Sequence, residues 1–168
     1  GHYKPLKVEH TISPSMDIQV ASNFERLIFD VNSCSSEKTL KLMNDLNERG
    51  QFKIEKEELK IIKDSFSSAS LTEEETKSII SEMYKNHGIL IDPHTAVGIG
   101  VTKKISLKGS TVVLATAHPS KFSEVVMEAT GIRPELPENL KNILVEKENY
   151  DKLPKDLEKV KNYILKRA

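Results

Sequence analysis

Three short strings place hydroxyls, imidazoles and one carboxylate where an apolar run gives way to a polar turn and then to a helical pattern. Ser13-Pro14-Ser15 follows the run Val8–Ile12, Asp92-Pro93-His94-Thr95 follows Ile89-Leu90-Ile91, and Thr116-Ala117-His118-Pro119 follows Thr111–Ala115. In open α/β sheets, ligands bind outside the carboxyl ends of the strands. Ser13, Ser15, Asp92, His94, Thr95, Thr116 and His118 could therefore converge on one small polar ligand. The plainer alternative needs no ligand: Ser13 and Asp92 cap helices, Thr95 and Ser120 fill first turns, and the histidines satisfy local backbone groups. Gln19, Asn23 and Arg26 recur at i, i+4 and i+7, a polar stripe beside an apolar one. A guanidinium next to an amide suits phosphate or carboxylate, although a solvated helix edge has the same spacing.

Other chemistries fail on spacing. Asp92, His94 and His118 could be written as a metal triad, but only the first two are close and no second ligand pair supports them, so no metal is expected. Gly98-x-Gly100 lacks the third glycine of a dinucleotide fingerprint and falls within a helical pattern. Cys34 stands in a serine-rich stretch with no nucleophile motif around it.

The elements that must position these residues follow from periodicity. Val20, Phe24, Leu27, Ile28 and Val31 make one apolar helix face after Pro14. Residues 35–87 read as a helical insert, with Gly50 closing one helix, Thr72-x-x-Glu75 opening another as a capping box and Gly88 ending it; its acidic runs read as solvated faces. Strand, polar turn, helix and strand again is the grammar of a parallel sheet. The expected fold is α/β, a helix-rich three-layer arrangement around a small, mainly parallel sheet. Its parts are 1–34 (strand and pocket helix), 35–87 (helical insert), 88–131 (parallel strand-helix units) and 132–168 (a helical tail, with Leu157, Val160 and Ile164 packing). Two or three parallel strands make an incomplete sheet, so the chain reads as a piece of something larger. Its exposed edge invites self-association.

Charge is balanced, 25 basic against 25 acidic residues among 168, which gives no global pull toward nucleic acid or anionic lipid. No apolar run approaches the ~20 residues of a membrane span, and residues 1–5 carry no signal-type apolar region. A soluble, cytoplasmic protein is expected.

Taken together, three strings are more specific than any one: Ser13-Pro14-Ser15-Met16-Asp17 running on to Asn23-Phe24-Glu25-Arg26, then Asp92-Pro93-His94-Thr95-Ala96-Val97-Gly98, then Thr116-Ala117-His118-Pro119-Ser120-Lys121-Phe122. With Gly131-Ile132-Arg133-Pro134, their order and spacing resemble the C-terminal part of threonine synthases of the bacterial and fungal type. The resemblance implies the tryptophan synthase β-like fold and the cofactor pyridoxal phosphate, held between two α/β domains. It implies a carbon-oxygen lyase that turns O-phospho-L-homoserine and water into L-threonine and phosphate. Thr116 matches the hydroxyl that bonds the cofactor's pyridine nitrogen. Such a hydroxyl leaves the ring nitrogen largely unprotonated, where a carboxylate would hold a proton there. Ser15, Asn23 and Arg26 become candidates for the substrate pocket, with Asp92 and His94 in the motif beside them.

One departure matters. The Schiff-base lysine and the Gly/Asn-rich phosphate loop of that family belong to its N-terminal part, and neither string occurs here. The expectation is a C-terminal fragment, inactive alone, whose partner is the remainder of the same enzyme. The alternative is a non-catalytic binding or interaction module descended from such an enzyme.

Overall fold

The computed structural model describes all 168 residues. Four helices occupy the first half, α1 (Phe24–Val31), α2 (Ser36–Arg49), α3 (Lys56–Ser65) and α4 (Glu73–His87); α5 (Pro93–Lys104), α6 (Ser123–Thr130) and α7 (Leu157–Leu165) follow. Their limits are set by local chemistry. The Thr72 hydroxyl accepts from the Glu75 amide at 3.2 Å, and the Glu75 carboxylate accepts from the Thr72 amide at 2.7 Å, so two of the orphan donors at the start of α4 are satisfied. Gly88 ends the same helix with φ 66°, a left-handed conformation that costs a side-chain-bearing residue energy.

The chain divides into two compact units, Gly1–Glu135 and Leu136–Ala168. In the first, α4 packs on α5 and α6. Ile79 and Ile80 of α4, Ile91, Ala96 of α5 and Val126 of α6 form the buried cluster, with Leu71, Met83 and Ile99 against it. Gly100 is part of this packing: a β-carbon there would stand 2.1 Å from Leu71 Cδ2, so the glycine pair read in the sequence serves helix contact. Exposed pairs, Lys103–Glu82 at 2.7 Å and Lys77–Glu128 at 2.7 Å, flank the apolar contacts and contribute little. A second cluster stacks the Tyr3 ring between Phe24, at 5.3 Å, and Phe52, at 4.9 Å.

The expected parallel sheet does not form. The two strands present, β1 (His2–Tyr3) and β2 (Phe52–Lys53), pair antiparallel with His2 opposite Lys53 and Tyr3 opposite Phe52. Residues 8–12, 89–91 and 111–115 carry no strand. Each has the composition of a strand, but a ladder requires a neighbouring strand to pair with, and none of the three has one. The first helix also starts later than its apolar spacing implies. Pro14–Met16 is a short 3-10 turn, and helix begins only at Phe24. Tertiary hydrogen bonds hold the intervening backbone away from helix: the Tyr3 hydroxyl donates to the Gln19 carbonyl at 2.9 Å and accepts from the Ala21 amide at 3.2 Å. Gln19, Asn23 and Arg26 are thus no helical stripe.

Within the second unit, Asp156 caps α7 by accepting from the Lys159 amide at 3.0 Å. Asp151 accepts from the Tyr163 hydroxyl, which raises that hydroxyl's pKa. The stripe read as packing is not buried, since Leu157 remains 81% exposed. No helix of the chain is long and apolar enough to cross a membrane.

Ile80 is fully buried, whereas Thr72 acts through one cap. Ile80→Ala is expected to cost about 2–5 kcal/mol and Thr72→Ala about 1 kcal/mol, an ordering that urea denaturation of the two variants checks.

Candidate functional site

Asp92 is the N-cap of α5 and is 0% exposed. Its two carboxylate oxygens have different tasks. Oδ1 accepts from the His94 backbone amide at 2.9 Å and faces the His94 ring Nδ1 at 2.9 Å. Oδ2 accepts a short hydrogen bond from the Thr95 hydroxyl. A buried carboxylate at a helix N-terminus is stabilised by amide donors and by the helix dipole, and here two side-chain donors complete the set.

From these two side chains the network runs outward in both directions. His94 Nε2 accepts from the Ser15 backbone amide at 3.1 Å. An amide can only donate, so Nε2 carries no proton and the ring is the Nδ1–H tautomer directed at Asp92. Phe122 covers the imidazole, with ring centroids 4.7 Å apart. On the other side, the Thr95 hydroxyl oxygen accepts from the Thr116 backbone amide at 3.2 Å. Ser15, His94, Asp92, Thr95 and Thr116 therefore form one continuous relay, and all three polar turns meet in it.

Thr116 is exposed, and no hydrogen bond within the chain engages its hydroxyl. It lines a cleft of about 440 Å³ together with Ile89, Ile91, Ala115, Ala117 and His118. The His118 Nδ1 accepts from the Ser120 amide at 3.2 Å, the local capping role that the plainer reading of the sequence gave it. Its Nε2 is the ring atom left free beside the cleft.

Asn23 and Arg26 stand apart from the relay. Asn23 precedes α1 without a side-chain capping bond, and Arg26 lines a separate groove of about 490 Å³ with Ser22, Glu25, Phe29, Thr39 and Leu40. Cys34 is exposed, in a turn where Ser33 and Cys34 both have positive φ. No group of three His, Cys, Asp or Glu side chains is set to hold a metal ion.

Sequence reasoning missed what holds the Ser13–Ser15 turn in place. The Asp17 carboxylate accepts from the Thr11 amide at 2.8 Å and from the Thr11 hydroxyl at 2.7 Å. Glu73, read as part of a solvated face, accepts from the Ile12 amide at 3.0 Å. The one available signal was Thr11 followed six residues later by Asp17, and that spacing has no standard motif.

A buried carboxylate thus orients an imidazole and a threonine and, through them, ties the three turns together beside an open cleft. Residues 95–164 match the family model described as threonine synthase, C-terminal. Threonine synthase of Pseudomonas aeruginosa is 36% identical over 167 residues, 98% of this chain and 36% of that protein. A crystal structure of PLP-bound threonine synthase from Brucella melitensis superposes with a TM-score of 0.79 at 39% identity, covering 98% of this chain and 36% of that one. The yeast enzyme gives 0.76 at 31% identity. The chain is a homologue of the C-terminal part of threonine synthases, and it spans about a third of the length of the relatives it matches.

Two outcomes follow from the geometry. Asp92→Asn puts an amide N–H where a donor already points, and the variant is expected to lose about 1–3 kcal/mol. In the unaltered chain, nitrogen NMR of the His94 ring should show a protonated Nδ1 and a bare Nε2, a preference that the variant loses. Separately, the two hydrogen bonds from Thr11, the backbone one first, hold the Asp17 carboxyl below its ordinary pKa. A lowered folded-state pKa contributes stability that is present above the ordinary carboxylate range and is lost as pH falls through the lowered value. Carboxyl NMR titration should place Asp17 below the other exposed aspartates, and Thr11→Val should move it back up.

Proposed function

We propose that this chain is one wall of the active site of a threonine synthase. That enzyme acts in the cytoplasm on O-phospho-L-homoserine and water, giving L-threonine and phosphate, with pyridoxal phosphate as cofactor. The cofactor lysine and the phosphate loop come from an N-terminal part of the same protein, and the chain alone is inactive. The observation that carries this reading is the free Thr116 hydroxyl at an exposed cleft, backed by a buried relay that reaches all three turns.

The cleft fits the ring end of the cofactor. Ile89, Leu90, Ile91, Ala115 and Ala117 offer an apolar face to a flat ring, and no lysine or arginine lines it to take a phosphate. When bound, pyridoxal phosphate supplies the electron sink for chemistry at the substrate's α- and β-carbons. Thr116 is the residue that would hold the ring end of the cofactor, its free hydroxyl offering a hydrogen-bond donor there while keeping its own proton. The Thr95 oxygen fixes the Thr116 backbone so that the hydroxyl keeps its direction, and Asp92 fixes Thr95. Through His94, the same carboxylate sets the position of the Ser15 turn, which we assign to the substrate side. Arg26, exposed and without an ion pair in the chain, and Asn23 beside it are assigned to the substrate phosphate.

The test compares this chain with the protein extended upstream through its lysine-bearing part. With pyridoxal phosphate added, the extended protein should show a visible band that borohydride bleaches and should release phosphate from O-phosphohomoserine, while the chain alone does neither. Thr116→Val in the extended protein should shift that band and lower kcat about tenfold or more. If the extended protein stays colourless and inert, the chain is instead a binding module of the same descent.

A further inference from the structure

A second cavity, away from the relay, lies where the end of α1 meets α2, β2 and the start of α3. It measures about 260 Å³, and its lining includes Asn32, Lys38, Lys41, Lys53, Glu55 and Glu58. Two buried polar atoms in that lining have no hydrogen-bond partner, Asn32 Nδ2 and Glu58 Oε2. Asn32 is only 5% exposed. Buried groups in native proteins are overwhelmingly satisfied, and leaving one unpaired costs as much as its desolvation. Here the orphans are complementary, one obligate donor and one acceptor, on two residues that line the same cavity.

The rest of the lining repeats this division. Lys38, Lys41 and Lys53 have no ion-pair partner within the chain, and neither have Glu55 and Glu58. Opposite charges thus border one cavity without closing on each other. Helix α3 begins there with Glu55 at its N-cap, and no side chain caps it, so its first amides are available to an anionic group. A doubly charged anion such as free phosphate is disfavoured by the carboxylates alongside. A simple cation is disfavoured by the lysines.

We infer that this cavity binds a small α-amino acid as its zwitterion. The carboxylate is received by Asn32 Nδ2, the lysines and the open N-terminus of α3, and the ammonium is received by Glu58 Oε2. The site is independent of the cofactor cleft, because none of its residues belongs to the relay.

The test is an NMR titration of the isotope-labelled chain with glycine, L-alanine and L-serine, and with acetate and ethylammonium as the two charged halves given separately. The expected result is a saturable shift of the amides of residues 32, 38, 41 and 53–58 by the amino acids, with each half binding at least about tenfold more weakly. Glu58→Gln and Lys38→Met should each weaken glycine binding by about tenfold or more. Melting temperatures of both variants identify any loss due to unfolding. Asn32→Asp, which reverses the orphan donor while keeping its shape, should abolish binding. The inference is overturned if the amino acids leave these signals unmoved, if either half binds as tightly as the zwitterion, or if the shifts fall at Asp92–Thr95. It is also overturned if a crystal grown in glycine holds only a water between Asn32 and Glu58.

Discussion

Much of the first unit's arrangement depends on where the charge of Asp92 is stabilised. A carboxylate with no solvent exposure is costly unless donors surround it, and no lysine or arginine pairs with this one; the Ser15 amide donates to His94 Nε2 and leaves Nδ1–H to face Asp92. Its stabilisation comes from the start of α5, from an imidazole N–H and from a hydroxyl. The imidazole, through Nε2, and the hydroxyl, through the lone pairs of the same oxygen, each also accept a backbone N–H from a different loop. The same desolvation cost that makes the carboxylate dangerous therefore sets the directions of His94 and Thr95, and through them the places of Ser15 and Thr116.

The segment before α1 shows what such bonding can replace. Residues 4–13 have no ladder to lie in, yet their backbone is tied at several points by side chains: Glu73 to the Ile12 amide, Asp17 to Thr11, and Gln19 to the Leu6 amide. Glu73 sits in the first turn of α4, next to the capping box, so the loop is anchored to the best-capped helix of the unit. Single side-chain bonds at an exposed surface are individually weak. This loop is consequently the part of the unit with the lowest cost of local opening, while the α4, α5 and α6 core behind it is held by buried aliphatic contacts.

The sequence was legible where structure is decided within one turn. The Thr72 and Glu75 capping box, the stops at Gly50, Gly88 and Gly131, and Asp92 as a cap all depend on atoms a few residues apart. The convergence of the three polar turns was also legible, since it follows from the general position of sites at the ends of apolar runs. The parallel sheet was not, because a strand is a property of its neighbours, and the composition of Thr111–Ala115 cannot supply them. The delayed start of α1 was missed for the opposite reason. Its apolar spacing is helical as far back as Val20, but the Tyr3 hydroxyl, remote in sequence, takes the backbone of residues 19–21 for itself. Asn23 and Arg26 entered as substrate-pocket candidates through the resemblance; the relay does not reach them, and Arg26 lines a different groove.

The apolar side chains beside the Thr116 cleft carry the same argument further. Val112 is 85% exposed, Leu114 73% and Ile89 51%, in the two segments whose composition is that of strands buried on both faces. A patch of this kind next to a polar cleft marks a surface that another body covers. The cleft they border is lined by Ile89, Leu90, Ile91, Ala115 and Ala117 together with Asp92, Thr95, Thr116 and His118, and no lysine or arginine reaches it. The unpaired segments ask for a complement: a body that lies against residues 89–91 and 111–115 and covers their apolar side chains. In its relatives the matching part is about a third of the protein, so most of their polypeptide lies outside the part that corresponds to these two segments.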